Sequence, residues 1–171
     1  WAVAGILLIA VGLSLCVGRY PLSLSDLWKA LTGRAEGMAG QVFWQIRAPR
    51  TFLVLLCGMA LSASGMVYQT IFRNPLVSPD VLGVTSGASV GAAAAILAGA
   101  GSAACALSAF GAGVATVALT AFIARAAGGR QQVTLLIAGI VTGALAGSLL
   151  MILKYLADPA HQLPAIDSWL M

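Results

Sequence analysis

Arg47 and Arg50 sit three residues apart around Pro49, the tightest pair of like fixed charges in the chain. Paired guanidiniums present forked N–H donors that suit carboxylates and phosphates. The two are therefore candidates for docking an acidic protein surface or for anchoring on lipid phosphate. A second chemical candidate is the run Arg73-Asn74-Pro75-Leu76-Val77-Ser78-Pro79-Asp80. Each proline removes a backbone donor and turns the preceding residue away from helix, so this run reads as a stiff turn. Within it Asn74 offers an amide that can cap a helix or obstruct a passage. Catalytic chemistry finds no footing. The only lysines are Lys29 and Lys154, and no Gly-x4-Gly-Lys-Ser/Thr phosphate loop is present, so the sequence shows no motif for ATP hydrolysis. Cys16, Cys57 and Cys105 lack metal-site spacing, and His161 is the sole histidine. The sequence thus implies no catalytic residue, no resident metal and no cofactor.

The elements that must carry these residues are set by composition. Apolar residues make up 60% of the chain and charged residues 8%, against about 25% in an ordinary soluble domain. Nine basic and five acidic side chains cannot cover a soluble protein of 171 residues. The net charge of +4 has no basic stripe interleaved with aromatics, which argues against nucleic acid as a partner. Five segments approach the roughly 20 apolar residues that a bilayer crossing needs. They run about Trp1–Val17, Thr51–Ile71, Val81–Ala100, Ala103–Ala124 and Val133–Leu153. The expected fold is all-α, a polytopic transmembrane helix bundle. The first segment is also the length of a signal peptide, but it lacks a basic leader and an Ala-x-Ala site, so it reads as a first span without its start. Asp167-Ser168-Trp169-Leu170-Met171 reads as a polar cap opening a further helix. Together these ends suggest a piece of a larger membrane protein.

Small residues recur within the spans. Gly83, Gly87, Gly91, Ala95 and Gly99 are spaced by four along the third, and Gly139, Gly143 and Gly147 along the fifth. Such ridges let helix backbones approach closely in lipid; they serve dense packing, or place these helices beside a pathway. At the second span, Arg47 and Arg50 fall at the expected helix start, on one face. There, cations oppose the macrodipole by about 0.3–1 kcal/mol each, which suggests a role beyond local stability. The stretch Pro21–Leu31 reads as a short surface helix capped by Ser23 or Ser25, with Trp28 toward the membrane interface.

The succession Gln45–Arg50, Gly58, Ser64-Gly65, Gln69, Arg73-Asn74-Pro75-Leu76, Pro79, Leu82-Gly83, Ser86-Gly87-Ala88 and Gly91 resembles the permease family that imports iron-siderophores, haem and vitamin B12. The likeness continues through Leu135–Gly139 to Trp169-Leu170-Met171. It implies the amino-terminal half of a permease subunit: about five spans of a roughly ten-span type II ABC importer fold. Its implied location is the bacterial inner membrane, multi-pass. Implied partners are a periplasmic substrate-binding protein, cytoplasmic ABC ATPase subunits, a second permease subunit (homo- or heterodimer) and membrane lipid. The resemblance assigns Arg47 and Arg50 to docking of the binding protein's glutamates. It assigns Asn74 and Pro75, with Gln131 and Gln132, to a cytoplasmic gate, although the vitamin B12 permease carries small hydroxyl residues where this chain has the glutamines. Gly83, Gly87, Gly91, Gly139, Gly143 and Gly147 would pack near the pathway.

The implied orientation places the amino terminus inside and loops 18–50 and 154–171 outside. Arg19, Lys29, Arg34, Arg47, Arg50 and Lys154 are then outside, against Arg73, Arg125 and Arg130 inside. That distribution opposes the positive-inside bias; the family orientation is retained because Arg47 and Arg50 have a competing duty. A self-contained oligomeric channel or scaffold is the rival from another class. A proton-coupled carrier is disfavoured, since the spans hold no acidic or histidine relay.

Overall fold

Helices account for all the regular structure described in a computed structural model of the protein, which covers residues 1–18, 20, 22–33, 37–128 and 131–171. At Leu24, Leu31 and Gln131 only the backbone is described. Arg19, Arg34 and Arg130, counted above for orientation, lie outside the described residues. The helices are α1 (Ala2–Cys16), α2 (Leu24–Leu31), α3 (Met38–Phe72), α4 (Val84–Leu97), α5 (Ser102–Ala127), α6 (Gln131–Leu156) and α7 (Gln162–Leu170). A 3-10 turn, Pro79–Leu82, precedes α4. Two compact units divide the chain, Trp1–Ala63 and Ser64–Met171.

Among the described residues, α3, α5 and the Gln132–Leu156 stretch of α6 are long and apolar enough to cross a membrane; α1 and α4 are shorter apolar helices. Large apolar side chains stand exposed along them, including Leu53 and Met59 on α3, Phe110 and Phe122 on α5, and Leu145 and Met151 on α6. In water such continuous apolar surface would drive association. Against lipid or neighbouring helices it is the expected face.

In the first unit, α1, α2 and the start of α3 meet around Leu22, Ala30 and Phe43. Ser23 caps α2 as expected: its hydroxyl accepts from Asp26 N at 3.2 Å, while Ser23 N donates to Asp26 Oδ2 at 3.1 Å. The Ser23 hydroxyl also donates to Asp26 Oδ2 at 2.8 Å, and this bond first, then that from Ser23 N, holds the Asp26 carboxyl below its ordinary range.

The start of α3 corrects the sequence reading. The helix begins at Met38 rather than near Thr51, and passes through Pro49. A proline ring clashes with the carbonyl four residues earlier and removes one bond of the ladder. The chain absorbs this with a π-helical turn, Val42–Arg47, just ahead of the proline. Arg47 and Arg50 therefore lie well inside a helix, and the macrodipole argument built on a helix start does not apply to them.

In the second unit α4 packs against both α5 and α6. The third expected segment, 81–100, is not one helix. Gly83 adopts a left-handed conformation (φ 72°) between the 3-10 turn and α4, and Gly99 another (φ 71°) beyond the end of α4. Only Gly87, Gly91 and Ala95 of that ladder stand in the helix. At 14 residues α4 rises about 21 Å. The other end differs as well: α7 starts at Gln162, with Pro164 tolerated in its first turn. Asp167 is thus inside α7, where it pairs with Lys154 at 2.6 Å, rather than capping a new helix. Ile166 anchors α7 on Ala93 and Ala157.

Candidate functional site

The two arginines of the first unit have different surroundings. Arg50 is exposed on α3. Arg47 is only 8% exposed, and its guanidinium donates from Nη1 to the carbonyl of Leu15 and from Nη2 to that of Tyr20. Leu15 belongs to the last turn of α1, whose carbonyls lack helical partners. Arg47 thereby satisfies a helix end and the loop beyond it. A cleft of about 920 Å³ opens beside the pair, with Ser14, Gly18, Tyr20 and Thr51 among its lining residues. Ser14 and Thr51 bring their hydroxyl oxygens to 3.4 Å across it. A cationic surface is thus available at Arg50, while the Arg47 charge is committed to neutral carbonyls.

The second unit organises the proline turn. At the end of α3, Arg73 takes a left-handed conformation (φ 47°), which closes the helix. Asn74 Oδ1 accepts from Leu76 N at 2.9 Å, an Asx turn that stiffens the run. Gln69 Nε2 donates to the carbonyl of Pro75 at 3.0 Å, drawing the turn back against its own helix. At the far end Asp80 Oδ1 accepts from Thr85 N at 3.2 Å, taking up one of the free N–H groups in the first turn of α4. Gln132 reaches over from α6, donating from Nε2 to the carbonyl of Ile71 at 2.9 Å. The structure therefore brings Gln132 to the helix end just before Asn74 and Pro75, although these residues are distant in sequence. Gln131 opens α6 and its side chain lies outside the described ones.

Beneath this turn lies a polar junction that sequence reasoning missed. Thr120 of α5 and Thr142 of α6 are 0% and 2% exposed, and their hydroxyl oxygens are 2.6 Å apart. Thr120 also reaches the carbonyl of Leu82 at 3.2 Å, and Thr142 the carbonyls of Ala138 and Gly139 at 3.0 and 3.1 Å. Each hydroxyl has one proton, so one donates outward while the other donates to it. Lone threonines in apolar spans were the available signal; which of them face each other was not legible.

The glycines explain why the junction is tight. A Cβ on Gly139 would overlap the carbonyl oxygen of Val81 and lie 3.0 Å from Leu82 Cα. One on Gly83 would lie 2.9 Å from Gly143 Cα, and one on Gly87 would overlap the Thr116 hydroxyl. At Gly91 it would overlap the carbonyl oxygen of Ser108, whose own hydroxyl donates to the carbonyl of Gly91 at 2.7 Å. Gly147 and Gly99 meet nothing within 4 Å. A shallow apolar groove of about 330 Å³ runs between α4, α5 and α6, bordered by Gly87, Thr116 and Thr142.

No three His, Cys, Asp or Glu side chains among the described residues are grouped to hold a metal. Cys105 is buried and Cys57 is exposed.

The family model of the FecCD transport family matches residues 6–171. The molybdate import system permease protein MolB of Haemophilus influenzae is 35% identical over 171 residues, covering 97% of this chain and 51% of that protein. The vitamin B12 import system permease protein BtuC of Shigella boydii is 50% identical over 92 residues, 54% of this chain and 26% of its own length. A metal-chelate type ABC transporter solved in an inward-facing conformation matches with a TM-score of 0.80 at 34% identity, over 99% of this chain and 50% of that one. The chain spans about half the length of the relatives that match it throughout.

Proposed function

The chain belongs to the FecCD transport family, and from that premise we propose that it forms part of a membrane permease subunit of a binding-protein-dependent ABC importer. The cargo proposed is an iron-siderophore or a related metal chelate such as haem or cobalamin. The observation that carries this reading is the family match over residues 6–171, together with the long apolar helices it falls on. The relatives named above, for vitamin B12, molybdate and a metal chelate, support an importer permease and define the range of cargo to test.

In this reading the amino terminus lies inside and residues 18–50 and 154–171 outside, in the bacterial inner membrane. Arg50, exposed beside the cleft, offers its fork to an acidic residue of a periplasmic binding protein. The clamped turn at Asn74 and Pro75, with Gln131 and Gln132 opposite, forms part of the cytoplasmic gate. Because Gln132 and Thr120 hold this turn at Ile71 and Leu82, it moves only when α5 and α6 move. ATP-driven closure of the cytoplasmic ATPase subunits would supply that motion by rocking the helices of a permease dimer. Gly83, Gly87, Gly91, Gly139 and Gly143 keep α4, α5 and α6 in close contact, so these helices shift together.

The reading is tested by deleting the gene and measuring cellular uptake of ferric siderophores, haem, cobalamin and molybdate. Loss of uptake of one chelate, restored by the wild-type gene, is the expected result. Unimpaired uptake of every chelate with loss of molybdate uptake would replace the proposed cargo, and no loss at all would defeat the importer reading.

A further inference from the structure

A charged side chain placed at a docking surface is expected to face outward, yet Arg47 is turned in. Its guanidinium is buried, and its two terminal nitrogens hold carbonyls on either side of Gly18. Gly18 makes this possible. A Cβ there would stand 3.2 Å from Arg47 Cζ and closer still to Nη2, so any larger residue displaces the guanidinium. Among the described residues no carboxylate pairs with Arg47. Burial of a permanent charge is costly unless polar partners meet it, and here one carbonyl oxygen meets each of the two terminal nitrogens. Gly18, Tyr20, Arg47 and Arg50 line one cleft, so the clasp lies directly beside the exposed cation.

We propose that Arg47 is a positioning residue: it clasps the segment after α1 onto α3, and so fixes the surface from which Arg50 makes the ionic contact with the binding protein. The proposal rests on the docking reading above. It divides between two residues a role that their spacing suggested they share. Arg47 acts through geometry, with a fork that lysine cannot reproduce, whereas Arg50 acts through charge. Gly18 is the third member, needed for its lack of a side chain.

The two roles separate by ionic strength, because a charge contact across an interface weakens with salt and a buried clasp does not. The experiment measures binding-protein affinity of the full-length permease against salt concentration for the wild type, Arg47→Gln, Arg47→Lys, Arg50→Gln and Gly18→Val. Amide exchange over residues 15–22 is followed in parallel. Arg50→Gln should weaken binding and flatten the salt dependence, leaving exchange unchanged. Arg47→Gln and Gly18→Val should weaken binding about tenfold with the wild-type salt dependence, and accelerate exchange about as much. Arg47→Lys should recover little of either. Gly18→Val keeps every charge, so it tests the clasp even where an arginine variant is poorly inserted. A flattened salt dependence in Arg47→Gln would overturn the proposal, as would unchanged exchange in Gly18→Val. If Arg50→Gln leaves affinity and salt dependence untouched, the docking reading fails and takes the positioning role with it. Accelerated exchange in Arg47→Gln would then mark the clasp as structural alone.

Discussion

Alanine substitutions at Gly139, Gly143 and Gly147 should have sharply different costs, although all three lie on α6 at the same spacing. Each replaces glycine in a helix interior, which by propensity alone stabilises by about 1 kcal/mol. The surroundings decide the rest. At Gly139 the new methyl would overlap the carbonyl oxygen of Val81 and press on Leu82 Cα at 3.0 Å. Both are backbone atoms of the 3-10 turn, so no flexible side chain can yield, and overpacking toward the upper end of its usual range, about 3 kcal/mol, is expected. The net for Gly139→Ala is then a loss of about 2 kcal/mol, from these two terms. At Gly143 the nearest atom is Gly83 Cα at 3.4 Å, a contact that a shift of a few tenths of an ångström relieves, so the effect should be near zero. Gly147→Ala meets open space and should gain up to about 1 kcal/mol. The assay is reversible unfolding of the full-length protein in mixed micelles. Three equal values, or a greatest loss at Gly147, would refute the claim that α6 makes its closest approach at the 79–83 turn.

Other consequences can be checked separately. Thr120→Val should destabilise by about 1–2 kcal/mol by leaving the carbonyl of Leu82 unpaired, and Thr120→Val/Thr142→Val should cost less than the sum of the single changes; a strictly additive cycle would show that the hydroxyls do not interact. Because Ser23 lowers the Asp26 pKa in the folded state, the capping box contributes fully above about pH 4 and loses its contribution as pH falls further. Amide exchange over Leu24–Leu31, corrected for intrinsic rates, should accelerate between pH 5 and pH 3, and Ser23→Ala should reduce the difference, the backbone N–H of residue 23 still reaching Asp26. Arg50→Glu should weaken binding-protein docking most at low salt; unchanged affinity there would count against the ionic contact. A Ser78→Cys variant lacking the native cysteines should react with an impermeant maleimide only from the cytoplasmic side, and periplasmic labelling would invert the proposed orientation.

The long helices were legible because α5 and α6 are apolar runs broken only near their ends, and no soluble fold needs such runs. The start of α3 was not, since Pro49 reads as a boundary and only the π turn ahead of it lets the helix continue. Spacing by four presented Gly83 and Gly99 as ridge positions, whereas their positive φ angles serve turns at either side of α4. The family resemblance singled out Arg47 and Arg50 together. It could not show that one turns inward, because that depends on where the end of α1 and Gly18 meet α3. Gln132 and the pair Thr120–Thr142 depend in the same way on which helices adjoin. Composition supplies the polar atoms; packing chooses their partners.

The importer claim itself is met most directly by reconstitution. The full-length permease, its ATPase subunits and the binding protein would be placed in proteoliposomes, with radiolabelled chelate loaded on the binding protein. Accumulation that requires ATP, requires the binding protein and stops with a hydrolysis-deficient ATPase is the expected result. Chelate flux that proceeds equally without ATP or without the binding protein would contradict it.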